Sequence, residues 1–139
     1  YKIPVKEIII NLAPAYLKKE GSAYDLPIAL GILCASQQIK PGIFNDYLVM
    51  GELSLDGILR PVKGVLSMAM KAKKMGLKGI IIPQKNILEA QLVEGIDIVA
   101  PRNLKELLKL NLTMRQLRIK TSYYAQWIKV KTLLSFQVI

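Results

Sequence analysis

Histidine is absent from this sequence of 139 residues. Its absence removes the side chain that titrates nearest neutral pH. Imidazole acid–base catalysis, Ser-His-Asp triads and most transition-metal sites go with it. Cys34 is the single cysteine, which excludes an internal disulfide and a multi-cysteine zinc site. No apolar run approaches the roughly 20 residues of a membrane span. No cleavable signal pattern opens the chain. A soluble, cytoplasmic protein with no membrane partner is expected. Acid is missing from the last part of the sequence: all ten Asp and Glu lie at or before Glu106.

What is present is a globular composition, 52% hydrophobic and 22% charged, on a chain of single-domain length. Twenty Lys and Arg against ten acids give a net charge of +10. Residues 111–139 supply half of that excess through Arg115, Arg118, Lys120, Lys129 and Lys131. The same segment holds Tyr123, Tyr124, Trp127 and Phe136. Basic residues interleaved with aromatics suit contact with an acidic partner or with nucleic acid. They equally suit a solvated tail.

The pattern of apolar residues gives the elements. Val5–Leu12 is β-branched and reads as a buried strand. A loop spans residues 13–24. Asp25 is the expected N-cap of an almost wholly apolar, central helix over 26–37, with Pro27 in its first turn. Tyr47–Leu53 reads as a strand, Asp56-Gly57 as a hairpin turn and Ile58–Arg60 as the return strand. A helix follows over about 62–75, stopped by Gly76. Met68, Ala69 and Ala72 are its expected core face. Residues 79–82 and 96–99 read as short buried strands, paired in parallel. Asn86 is the expected cap of a helix over 87–93, and Asn103 that of a helix over 104–110. For residues 126–139 periodicity leaves a strand pair and an amphipathic helix both open. Alternation of helices and strands from residue 61 onward predicts an α/β layer.

Without histidine, a Ser–Lys dyad is the best-known hydrolytic arrangement left. Ser22, Ser36, Ser54 and Ser67 are candidate nucleophiles, and Lys18, Lys19 and Lys63 candidate bases. Ser22 precedes a helix N-terminus, where backbone N–H groups can hold an oxyanion. Gly21-Ser22 before a capped helix is also ordinary turn chemistry. Cys34 lies in the most apolar helix and reads as a small buried hydrophobe. No Gly-x-x-x-x-Gly-Lys-Ser/Thr phosphate cradle is present, nor a Gly-x-Gly-x-x-Gly.

Three stretches carry a family resemblance. They are Asn11–Ala15, Lys19–Leu33 (KEGSAYDLPIALGIL) and Gly51–Leu66 (GELSLDGILRPVKGVL). With Ile81-Ile82-Pro83, Asn86, Glu89 and Ala90, they closely resemble the N-terminal domain of magnesium-chelatase-like AAA+ proteins of the ComM/YifB type. The resemblance covers roughly residues 1–110. It implies an α/β (α+β) fold with a mixed sheet packed by helices, similar to the Lon protease domain and to a small-subunit ribosomal protein domain. In such proteins the domain precedes an ATPase module that binds ATP and Mg. The implied partners are that AAA+ module, further copies in a hexamer, and DNA.

The resemblance to Lon also speaks to catalysis. Lon carries Asp-Gly-Pro-Ser-Ala-Gly at its nucleophile, and Glu20–Asp25 is the matching stretch. The nucleophile position falls on Ala23, with Ser22 at the proline position and a weak alternative nucleophile. Lon's lysine follows Gly-Gly-Leu, and its position falls on Leu66. A leucine can neither deprotonate a hydroxyl nor protonate a leaving amine. A Lon-like domain without peptidase activity is therefore expected, with no catalytic, cofactor or metal residue of its own. An active Ser–Lys peptidase is the less favoured reading. A basic interaction module is the other alternative, using Lys18, Lys19, Lys63, Lys71, Lys73, Lys74, Arg115 and Arg118. The chain begins at Tyr1, lacks the family's opening strands and ATPase module, and ends in a basic tail unlike the family's linker. These departures predict a truncated or frame-shifted piece, with residues 1–110 an incomplete Lon-like domain and 111–139 a tail of unknown structure. Missing strands would leave apolar surface uncovered and solubility marginal.

Overall fold

The computed structural model describes Lys2 and residues 8–12, 21–40, 42, 44–114 and 134–138. A parallel sheet of three strands organises it. These are β2 (Tyr47–Val49), β5 (Gly79–Ile81) and β6 (Asp97–Val99), in the order β2-β5-β6. Leu48 lies opposite Ile80, and Ile80 opposite Ile98. Successive side chains of a strand point to opposite faces. Leu48, Ile80 and Ile98 therefore join one core, and Tyr47, Ile81 and Val99 another.

Each core is roofed by helices. On the first face α2 (Val65–Lys74) packs with Val65, Ala69 and Ala72, and α3 (Ile87–Ala90) with Ala90. On the second face α1 (Asp25–Ala35) packs with Leu26, Leu30 and Leu33, and α4 (Leu104–Met114) with Leu107 and Leu108. The result is an α/β fold with a buried parallel sheet between helices, the arrangement such sheets require. Two antiparallel pairs lie beside that sheet. β3 (Glu52–Leu53) and β4 (Leu59–Arg60) form a hairpin. β1 (Ile8–Leu12) pairs with β7 (Leu134–Val138), and β7 lies against α1.

Several local expectations hold. Gly57, in the hairpin turn, and Gly76, after α2, both adopt positive φ, where a side chain would be strained. Asn103 Oδ1 accepts the Glu106 N–H at 2.8 Å, and Glu106 Oε2 accepts the Arg102 N–H at 2.8 Å, closing the start of α4. Strands 79–81 and 97–99 pair in parallel.

Others are corrected. The strand expected over 47–53 is two strands, broken at Met50-Gly51. Gly51 turns its N–H to the Ala23 carbonyl (2.9 Å) and its carbonyl to the Leu26 N–H (3.0 Å) instead of continuing a ladder. Asp25 is not the cap of α1. It is the first helical residue, after Tyr24, and its Oδ2 accepts the Leu53 N–H at 3.2 Å. The helix expected over 87–93 is only the single turn Ile87–Ala90, preceded by a 3₁₀ turn over Gln84–Asn86; Asn86 stands at its N-cap position but makes no side-chain cap bond. Helix α4 continues past residue 110, and residues 134–138 take the strand alternative. Residues 5–7 and 13–20 lie outside the described residues, as does most of the basic tail.

A Cβ added to Gly79 would sit 2.2 Å from the Asp97 carbonyl oxygen, so β5 and β6 approach too closely there for any side chain. Gly79→Ala should destabilise the protein by about 2–3 kcal/mol, the cost of overpacking a rigid backbone contact, measured by urea unfolding. The Arg102 N–H beside Glu106 holds its carboxyl below the usual carboxylate range. A depressed folded pKa stabilises above the unfolded value, about 4.3, and is lost as pH falls through the folded one. Glu106→Gln should therefore flatten the acid limb of the melting temperature against pH and leave the alkaline limb unchanged.

Candidate functional site at the starts of α1 and α2

The two positions expected to match Lon's dyad lie against the same core. Ala23, in the 3₁₀ turn before α1, and Leu66, in the first turn of α2, both pack against the core on one face of the parallel sheet. Gly51 seats the first of them through its two backbone bonds to Ala23 and Leu26. Amides at the start of α1 are occupied: Asp25 N–H donates to the Ser22 carbonyl and Leu26 N–H to that of Gly51. Neither amide is available to an oxyanion there.

Ser22 is half-buried, and its hydroxyl donates to Glu52 Oε2. Glu52 Oε1 stands 3.9 Å from Arg60 Nη1. This arrangement ties the turn before α1 to the β3–β4 hairpin. No lysine is placed against the Ser22 hydroxyl among the described residues. The other candidate serines do structural work or face water. Ser36 Oγ donates to the Ile32 carbonyl at 2.7 Å, Ser54 Oγ to Asp56 and the Ile58 carbonyl, and Ser67 is exposed.

The segment before α2 is held from outside its own helix. Asn86 is 7% exposed. Its Nδ2 donates to the Val62 carbonyl at 2.8 Å, and its Oδ1 accepts the Val62 N–H at 3.0 Å. Glu89 Oε1 accepts the Leu66 N–H at 2.9 Å. That carboxylate satisfies an amide at an N-terminus whose cap, Gly64 (φ 81), has no side chain. Sequence reasoning missed the roles of Glu52, Asn86 and Glu89, although Asn86 and Glu89 were among the residues carrying the family resemblance.

The basic residues divide. Lys63 is exposed just before Gly64. Lys71, Lys73 and Lys74 are exposed in the last turn of α2, where cations complement the helix dipole. Lys18, Lys19, Arg115 and Arg118 lie outside the described residues. Cys34 packs against the second core, and burial pushes its thiol pKa up, away from thiolate reactivity.

Asn86→Ala would leave both backbone polar groups of Val62 unpartnered in a partly buried place. Urea unfolding should show a loss of about 1–3 kcal/mol. Leu88→Ala, at a neighbouring exposed position, should change stability far less.

The family model described as subunit ChlI of Mg-chelatase matches residues 1–86. YifB of Escherichia coli K12 is 48% identical over 95 residues, covering 68% of this chain and 19% of that protein. The competence protein ComM of Haemophilus influenzae is 45% identical over 93 residues, covering 67% of this chain and 18% of ComM. The archaeal Lon protease of Methanocaldococcus jannaschii is 31% identical over 105 residues, covering 76% of this chain and 16% of that protease. The chain spans about a fifth of the length of the curated relatives it matches. With that match and these relatives, the chain belongs to the magnesium-chelatase-like family of ComM and YifB and carries its Lon-like region.

Proposed function

We propose that this chain is a Lon-like domain without peptidase activity, serving a ComM/YifB-type protein as a contact and assembly domain. One observation carries the reading: alanine and leucine stand at the two dyad positions, and both pack as apolar side chains on the same core. Ser22, next to the first of these positions, directs its hydroxyl to Glu52 rather than to a lysine. The start of α1 spends amides on the chain's own carbonyls. In this reading ATP and Mg act on a separate ATPase module. The chain itself lacks a phosphate cradle, and no cluster of three acids or thiols gathers among its described residues. No step of nucleotide chemistry is assigned to it. The intact protein would then be a cytoplasmic hexamer that remodels DNA, with this domain supplying contacts.

A second reading, a basic nucleic-acid module, has its own observation. Lys63, Lys71, Lys73 and Lys74 are exposed, with no ion-pair partner among the described residues. Exposed lysines are common on a basic protein, so this reading ranks second.

The purified chain, incubated with casein and with a fluorogenic peptide library, should cleave neither above background. Ser22→Ala should be indistinguishable from the parent. Cleavage that disappears in Ser22→Ala would overturn the proposal.

A further inference from the structure

A groove of about 560 Å³ runs along α2 and the segment that follows α3. Leu66, Met70, Leu92 and Val93 make its apolar lining, and Lys73, Lys74 and Glu94 its polar rim. Met70 is 59% exposed and Leu92 71%, and Leu88 nearby on α3 is 77% exposed. Large side chains this open to water, gathered beside a groove, mark a surface that something covers. The groove reaches Leu66, the position that matches Lon's lysine. Where a protease would place its base, this surface has an aliphatic wall.

Charge selects the occupant. Lys73 and Lys74 rim the groove, and Lys71 is in the same helical turn. None of the three has an ion-pair partner among the described residues, and Glu94 forms none with them. A second copy docked face to face would set these lysines against themselves. The chain's own last segment, residues 115–133, contains no acid and repels them too. Nucleic acid fits the lysines but not the lining. No aromatic or arginine side chain lines the groove for a base to stack on, and Met70 and Leu92 would face phosphates. A protein segment with apolar side chains on one face and carboxylates at its edges satisfies both features.

We infer that the groove between α2 and the end of α3 docks an acidic amphipathic peptide segment of a partner. The inference rests on the contact-domain reading and names the chemistry of the contact.

The test uses the full chain and two labelled helical peptides. One has Leu at i, i+3, i+4 and i+7 with Glu on the flanks; the other replaces every Glu by Lys. Fluorescence anisotropy should show the Glu peptide binding about tenfold or more tightly than the Lys peptide. The double variant Lys73→Glu/Lys74→Glu should reverse that preference, a gain that a misfolded protein cannot produce. Met70→Ser/Leu92→Ser should weaken the Glu peptide by about tenfold. Equal affinity for both peptides would overturn the inference, as would a preference that survives the charge reversal. So would a single-stranded oligonucleotide that displaces the Glu peptide and binds Met70→Ser/Leu92→Ser undiminished. Mass spectrometry of the recovered peptide separates the two ideas. An intact peptide leaves the contact-domain reading standing, and a cleaved one overturns that reading while the binding result stands.

Discussion

Two backbone hydrogen bonds at Gly51 hold the architecture together. The strand that starts at Tyr47 stops there because Gly51 faces Ala23 and Leu26 instead of a neighbouring strand. Helix α1 is thereby hung from the end of β2. The chain then leaves in a new direction as the β3–β4 hairpin, and Asp25 fastens that hairpin back to the helix through the Leu53 amide. A Cβ on Gly51 would lie 3.2 Å from Leu26 Cδ2, so the junction also suits the absence of a side chain. The turn bearing Ser22 and Ala23 sits where it does because of this junction. Ala23 there packs against the core on one face of the sheet.

The start of α2 is likewise fixed from outside its own helix. A lysine base needs a position it can reach from and a pocket that tunes its charge. Leu66 instead turns its side chain to apolar surroundings, and its amide is satisfied by Glu89. The carboxylate and Asn86 both come from the segment around α3, which fixes the Val62–Leu66 stretch from the side. Backbone and side-chain contacts from remote segments thus hold both the turn before α1 and the start of α2.

Features set by neighbouring residues were legible in the sequence. Asp56-Gly57 makes its hairpin turn, Gly76 ends its helix, and Asn103 caps its own, because each partner lies within a few residues. The unbroken apolar run of 79–82 marked a buried strand, and the alternation of helices and strands its parallel partner. Side chains whose partners are remote were misread. Asn86 looks like a helix cap but spends its amide on Val62, 24 residues away. Asp25 looks like a cap but binds Leu53, 28 residues away. Composition alone could not place Glu52 beside Ser22, or Leu92 beside Met70. The dyad positions were read through family resemblance, and no periodicity would have found them.

Gly79 has a meaning beyond its own stability. β5 is the central strand, paired on both sides, and all three of its residues are buried. Its neighbours Lys78 and Ile80 both carry a Cβ that the Asp97 carbonyl would exclude from the place Gly79 fills. The native register of β5 and β6 therefore depends on residue 79 having no side chain, and a one-residue slip would turn apolar side chains to the wrong face. The single missing methyl group is thus what lets the central strand and its neighbour close to the separation seen at Asp97, a fit that no other residue type at 79 could make without moving the β6 backbone.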